Sequence, residues 1–304
     1  MINIAILIGS YQPQKYLIEQ FDSISSQTYQ GWSVYLSDDS TDQSWQSEYS
    51  DHLSKLEVKV SQGPQLGFVN NFMKLARDED IQSEFYAFCD QDDLWLEDKL
   101  QSILTIMKHH DPAIPMMYCG RTCIVDESNH FIGYSPLFDK RPSFKNALVQ
   151  NIGGGNTMVF NNSARELLMS FPLDIDVASH DWFFYQLVTG SGGRVIYDPK
   201  PYVRYRQHDT NLVGANMGWS ARIRRIKLLL AGRFRDWNAI NIKSLLKGRQ
   251  ILTLENQKTL ELFMRARSAS NFLVRLYWLK KSGVYRQTFL GNLGLVIGVF
   301  LRKV

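Results

Sequence analysis

Phe85-Tyr86-Ala87-Phe88-Cys89-Asp90-Gln91-Asp92-Asp93-Leu94-Trp95 is the stretch on which the reading of this 304-residue chain turns. Its first five residues are apolar and rich in aromatics, the pattern of a short buried strand. The next four carry three carboxylates. Crowding that much negative charge into one loop is unfavourable unless something positive sits there. Hard divalent cations take oxygen ligands, and one or two carboxylates hold them against substrate phosphates. A strand that ends in Asp-x-Asp is therefore a candidate metal–diphosphate site. The alternative is a solvated turn leading into a helix, with Asp93 as the N-cap.

The segments around this strand alternate. Residues 3–9, 32–37, 58–61 and 85–89 read as strands. Residues 14–27, 42–53, 67–77 and 97–109 read as helices, with Leu17, Ile18, Phe21 and Ile24 in phase on the first and Phe68, Phe72 and Leu75 on the third. Such alternation predicts a mostly parallel α/β sheet covered by helices. Ligands bind such sheets at the carboxyl ends of the strands. Ser10-Tyr11, Asp38-Asp39 and Asp90 to Asp93 all fall there. Beyond residue 115 the pattern changes: a hairpin over 116–125 and 130–132, a Gly153-Gly154-Gly155-Asn156 loop, strands over 157–160 and 203–206, and helices over 164–171 and 182–188.

Composition narrows the class. The chain is 44% hydrophobic and 21% charged, as a folded protein is. Three cysteines (Cys89, Cys119, Cys123) form neither a disulfide framework nor a zinc pattern, and read as reduced thiols of a cytosolic protein. The N-terminus reads as a first core strand, not a signal peptide. The net charge of +4 conceals an asymmetry: residues 1–218 hold 16 Lys and Arg against 27 Asp and Glu, and residues 219–304 hold 18 against 3. An acidic body with a basic tail implies a boundary near residues 214–218 and an anionic surface for the tail to meet. No nucleic-acid-binding module is present, and the body is acidic.

Several polar residues stand where chemistry is expected. Asp39 follows the second strand, where a carboxylate would accept from a nucleobase or a ribose, or make a turn with Ser40 and Thr41. Gly67 with Asn70-Asn71 opens a helix. Asp181, between His180 and Trp182, is either a helix cap or a general base for an acceptor hydroxyl. His208 ends Tyr205-Arg206-Gln207-His208.

In order and spacing, Ser10-Tyr11, Asp38-Asp39, Leu66-Gly67 with Asn70-Asn71-Phe72, Asp90-Gln91-Asp92-Asp93-Leu94-Trp95, Gly155-Asn156-Thr157-Met158, His180-Asp181-Trp182 and Tyr205-Arg206-Gln207-His208 resemble an inverting glycosyltransferase of family 2. The Asp-Gln-Asp-Asp-x-Trp, His-Asp-Trp and Tyr-Arg-Gln-His forms are most like bacterial rhamnosyltransferases of cell-wall or capsular polysaccharide synthesis. The resemblance covers residues 1–215. It departs from the family pattern at Tyr11-Gln12, where Tyr-Asn is usual, and at Ser40, where Gly is usual.

The resemblance implies a GT-A fold: a Rossmann-like, nucleotide-binding mixed α/β sheet over residues 1–215, with a helical extension over 216–304. It implies that Asp39 holds the nucleobase and that Ser10, Tyr11, Gly67, Asn71, Asp90, Gln91 and Arg206 line the donor. It implies Mg2+ or Mn2+ on Asp92 and His208 with Asp90, Asp181 as the base, and an acceptor pocket of Gly154, Gly155, Asn156, His180 and Trp182. The expected donor is dTDP-rhamnose, or a UDP-sugar of glucose, galactose or GlcNAc. A nucleotidyltransferase and a non-catalytic subunit of a glycan-assembly complex are the competing classes.

The basic tail holds two amphipathic stretches. Trp219, Ile223, Ile226 and Leu230 fall on one stripe among arginines, and residues 289–301 are uncharged before Arg302-Lys303. No apolar run is long enough to span a bilayer. These stretches read as in-plane helices on an anionic membrane, which suits a lipid-linked glycan acceptor and a peripheral place on the inner face of the cell membrane. Packing on the body or on a second copy in a homodimer is the alternative.

Overall fold

The computed structural model describes residues 2–13, 16–208 and 231–304. The expected helical stripe over 219–230 and the boundary near residues 214–218 lie outside the described residues.

One half of the sheet is parallel. β1 (Ile4–Ser10) lies between β2 (Trp32–Asp38) and β4 (Phe85–Asp90), with β3 (Lys59–Gln62) outside β2. The apolar runs of β1 and β4 are buried throughout, as strands covered on both faces must be. Register places Ser10 beside Asp38 and Gly9 beside Asp90, so these strands end at one edge. The chain leaves β1 for β2 on one side and returns to β4 on the other. The edge above β1 is thus the crevice where open α/β sheets take ligands.

The other half is mixed. β8 (Val159–Asn161) runs antiparallel to β4 and to β6 (Met116–Val125), and β6 pairs in parallel with β9 (Arg194–Arg206) and forms a hairpin with β7 (Phe131–Tyr134). β5 is only Leu94–Trp95, antiparallel to β9. β9 is far longer than the expected 203–206. Pro199 and Pro201 argue against a strand there, but the register slips between Gly120 and Thr122 and takes that stretch out of the ladder.

Helices α1 (Tyr16–Ser25), α2 (Trp45–Glu48), α3 (Ser50–Lys55) and α5 (Lys99–Met107) flank the sheet along with α4 (Phe68–Arg77), α7 (Asn162–Met169) and α8 (His180–Gly190). A short α6 (Phe144–Ala147) precedes the glycine loop. The single helix expected over 42–53 is two, broken at Tyr49. The C-terminal helices are α9 (Arg233–Lys247), α10 (Leu254–Ser268), α11 (Phe272–Ser282) and α12 (Phe289–Phe300). They share a core with the sheet: Leu245, Leu260 and Phe263 are buried in the same apolar cluster as Phe171, Phe183 and Phe184. Polar ties add to this, among them Asn241 Oδ1 accepting from the Ala178 N–H at 2.8 Å and Lys145 paired with Glu255 at 3.0 Å.

Candidate active site

β4 carries the acidic run to the crevice edge. The chain then turns, and Leu94 and Trp95 pair with Arg204 and Val203. Continuing that antiparallel register sets residue 92 beside the end of β9. Asp92 Oδ2 and His208 Nε2 consequently meet at 2.7 Å although 116 residues separate them.

Arg206 holds this junction from within. Its Nε donates to the Asp92 carbonyl at 3.1 Å, Nη1 donates to the Glu127 carbonyl at 2.6 Å, Nη2 donates to the Glu19 carboxylate, and the guanidinium lies 4.4 Å from the centre of the Tyr16 ring. The side chain is buried. This corrects the expectation that Arg206 steadies donor phosphates: its nitrogens brace the acidic loop.

Asp93 caps no helix. It is fully buried, accepting from the Arg206 N–H at 3.2 Å and from the Asn156 amide, and α5 starts only at Lys99. Burial first, then Asp92 and Asp90, push its pKa well up. Asp90 is raised by burial, then Asp92, then Asp181. The positive group that such crowding demands is Lys99, which the sequence reading passed over. Lys99 is fully buried, donates from Nζ to the Asn156 carbonyl at 3.0 Å, and rests 3.3 Å from the centre of the Trp95 ring. Burial pulls it down to about 7, while the fields of Cys89, Asp93 and Asp90 hold it up. The available signal was periodicity: Lys99 precedes Ile103 by four residues, on the inner stripe of α5.

Asp181 stands in the first turn of α8. Oδ1 accepts from the Trp182 N–H at 2.6 Å and from the Ser179 hydroxyl, and Oδ2 accepts from the Gly155 N–H at 3.2 Å. Burial pushes its pKa up to about 6, against hydrogen bonds from Trp182, Asn151 and Gly155. A carboxylate tuned there is ionised near neutrality yet basic enough to take a proton. Its charge is one of the effects that raise Asp90.

On the donor side, Tyr11 and Gln91 tie the two loops together: the Tyr11 N–H donates to Oε1 at 2.9 Å, and Nε2 donates back to the Tyr11 carbonyl at 3.0 Å. The Tyr11 ring is 58% exposed, free to pack on a flat ligand. Asp39 is buried, and its carboxylate holds the following loop through the N–H groups of Gln65 and Gly67, the latter at 2.8 Å. Gly67 has φ +85° and open space around it, so glycine serves the backbone turn there. Ser10 and Asn71 lie deeper. Both are buried beneath the edge, and Asn71 Nδ2 donates to the Ser37 carbonyl at 2.7 Å, tying α4 to β2.

On the acceptor side, Gly154 is exposed, and Gly155, Asn156, His180 and Trp182 are buried. Trp182 donates to the Ala147 carbonyl at 2.7 Å and stacks on Phe234 of α9. Asn156 serves Asp93 and Lys99, as above. His180 stacks on Phe72 at 4.3 Å and meets Phe88 edge-on at 4.9 Å. Burial pulls its pKa down to about 3, so the ring is neutral, and neither nitrogen has a hydrogen-bond partner among the described residues. A Cβ on Gly155 would lie 2.5 Å from Nε2. His180 is a wedge beneath the glycine turn that touches Asp181.

Among the described residues, no three His, Cys, Asp or Glu side chains converge as a ready metal cage. The pair alone still fits a small dication. Bonds of about 2.1 Å at right angles put neighbouring ligands about 3 Å apart, and such an ion takes few protein ligands beside phosphates.

The Glycosyl transferase family 2 profile matches residues 5–168. A dTDP-rhamnosyl transferase of Shigella flexneri, RfbG, is 27% identical over 244 residues, 73% of this chain and 78% of that protein. The Escherichia coli UDP-Glc:alpha-D-GlcNAc-diphosphoundecaprenol beta-1,3-glucosyltransferase WfgD is 25% identical over 185 residues, 60% of this chain and 68% of that protein. Among solved structures, S. aureus TarS 1–349 superposes with a TM-score of 0.56 at 16% identity, covering 99% of this chain and 89% of that one. Against a longer TarS structure the chain spans 55% of its length. The Pyrobaculum calidifontis mannosyltransferase PcManGT, solved with GDP-Man and Mn2+, gives 0.51 at 17% identity, covering 99% and 86%. The profile match spans more than half of the chain, and the sheet carries the acidic loop at its crevice: this protein is a glycosyltransferase of family 2 with the GT-A fold.

Proposed function

We propose that the enzyme transfers L-rhamnose from dTDP-rhamnose, with inversion, to a hydroxyl of a lipid-linked cell-surface glycan at the inner face of the cell membrane. The likeness to RfbG supports the donor. The acceptor reading draws on WfgD, whose name specifies a diphosphoundecaprenol-linked sugar. Two observations support the chemistry: Asp181, tuned by burial and hydrogen-bonded to the Gly155 turn, is close enough to raise the pKa of Asp90, and Asp92, two residues on from Asp90, meets His208.

Asp92 and His208 would hold Mg2+ or Mn2+ with the donor diphosphate. The ion would supply Lewis-acid stabilisation of the leaving nucleoside diphosphate. Tyr11 packs on the nucleoside and Gly67 leaves room beside it, with Gln91 fixing the Tyr11 loop and Asp39 the Gly67 loop. Asp181 takes the proton from the acceptor hydroxyl, whose oxygen attacks the anomeric carbon opposite the diphosphate. A single displacement inverts configuration and needs no second carboxylate, unlike glycoside hydrolysis. The likeness to WfgD favours a UDP-glucose donor as a second reading.

The test is a thermal-shift panel of dTDP-rhamnose and UDP-sugars with Mn2+ or Mg2+, followed by transfer to a diphosphoundecaprenol-linked acceptor. Stabilisation and turnover with dTDP-rhamnose are expected. Turnover with a UDP-sugar alone would replace the donor, and release of pyrophosphate would replace the reaction class.

A further inference from the structure

The last helix is inside out. α12 has no charged residue, and its solvent face is wholly apolar: Phe289, Leu290, Leu293, Val296, Ile297 and Phe300 are exposed, from 40% at Val296 to 82% at Phe289. Their spacing of three and four places them on one side. Its one polar side chain with hydrogen-bonding groups, Asn292, turns back into the helix start, donating to the carbonyls of Arg286 and Thr288 at 2.7 Å each. Leu295, Gly298 and Val299 face the body. Arg275 of α11, itself buried, donates to the carbonyls of Val299 and Phe300 and pins the far end. The apolar face is held outward by the fold, not left there by a loose end.

The rim around that face is basic. Arg286 precedes the helix and Arg302-Lys303 follow it, and Lys280 and Lys281 stand exposed at the end of α11. Residues 231–304 hold 14 Lys and Arg against 3 Asp and Glu. An isologous pairing of two copies would set this rim against itself. An apolar face with a cationic rim instead complements an anionic lipid headgroup layer over acyl chains. At about 1.5 Å per residue, twelve residues fall well short of crossing a bilayer, and no described helix is long and apolar enough to do so. The geometry points to α12 as an in-plane docking face for an anionic bilayer, its apolar side set into the headgroup boundary with Arg302 and Lys303 on phosphates. This rests on the proposed lipid-linked acceptor for its purpose, but its physical basis is separate.

The test is flotation of the full chain, without nucleotide-sugar, on phosphatidylcholine vesicles with or without about one quarter phosphatidylglycerol. The wild type is expected to float with the anionic vesicles and stay down with the neutral ones. Leu293→Ser with Ile297→Ser, and separately Arg302→Gln with Lys303→Gln, are expected to lower the floated fraction about tenfold. The serine pair should keep the wild-type melting temperature, since Leu293 and Ile297 face outward; the glutamine pair also loses the Arg302 bond to the Ser270 carbonyl, so its flotation is read beside its melting curve. Equal flotation of wild type and variants overturns the proposal. So does a lipid-free dimer in sedimentation that the serine pair dissolves, which would assign the face to a second copy. Vesicle binding without transfer would instead count against the acceptor reading and leave the docking face standing.

Discussion

Replacing Gly155 with alanine puts a methyl carbon 2.5 Å from Nε2 of His180, with two more ring atoms at 3.2 and 3.5 Å. Real Cβ atoms do not approach that closely, so something must move. The imidazole has little freedom, stacked on Phe72 and edge-on to Phe88. Overpacking of this kind costs about 1–3 kcal/mol. The easier response is for the glycine turn to lift, which draws the Gly155 N–H away from Asp181 Oδ2, now 3.2 Å distant. A hydrogen bond to an ionised group contributes about 1.5–3 kcal/mol. Losing it would let the Asp181 pKa climb further above 6, because that bond is among the effects holding it down. The expected result is a melting temperature lower by roughly 2–8 °C and a transfer rate at neutral pH reduced about tenfold or more. Raising the pH should recover part of that rate. A double-mutant cycle with His180→Ala isolates the cause: removing the ring should make Gly155→Ala much less costly, with a coupling on the order of 1–3 kcal/mol. A Gly155→Ala enzyme with wild-type melting and rate, or additive variants, would refute the wedge.

Asp181→Asn should bind nucleotide-sugar as the wild type does in calorimetry yet lose transfer, and undiminished turnover would remove Asp181 from the mechanism. The base must be ionised to act and its pKa stands near 6, so wild-type transfer should fall as pH drops through that value and level off above it; a rate flat from pH 5 to 8 would contradict this. Asp92→Ala or His208→Ala should abolish the metal-dependent part of donor affinity, and equal affinity with and without chelator in the wild type would argue against a metal role. Lys99→Met leaves buried carboxylates without their cation and should destabilise the fold by on the order of 3 kcal/mol, read as a lower urea midpoint at neutral pH; an unchanged midpoint would mean that Asp93 is neutral and needs no counter-charge.

The parallel half of the sheet was legible because its strands announce themselves. Residues buried on both faces must be apolar, so β1 and β4 stand out as runs, and the polar residues that end them must lie at one edge. The acidic loop was legible because carboxylates crowd together only where chemistry or a counter-charge requires it, whereas Asp181, alone between His180 and Trp182, read equally as a helix cap or a base. The burial of Ser10, Asn71, Asn156, His180, Trp182 and Arg206 was not legible. A polar side chain reads the same in sequence whether it faces a ligand or a buried carbonyl, and its partners lie on other elements: Arg206 on Asp92 and Glu127, Trp182 on Ala147. β9 was hidden by its prolines, which only the register slip opposite β6 accommodates.

Local pattern was enough to determine the parallel half of the sheet, the edge where its polar strand ends gather and the opposed charges of body and tail, since strand periodicity and charge are properties of neighbouring residues. Tertiary structure alone decided what the side chains do. The two-residue pairing of β5 with β9 brings Asp92 to His208, burial sets Asp181 near neutrality and draws Lys99 under the acidic loop, and packing turns the apolar side of α12 outward. Each depends on residues far apart in the chain, whose desolvation and contacts exist only after folding.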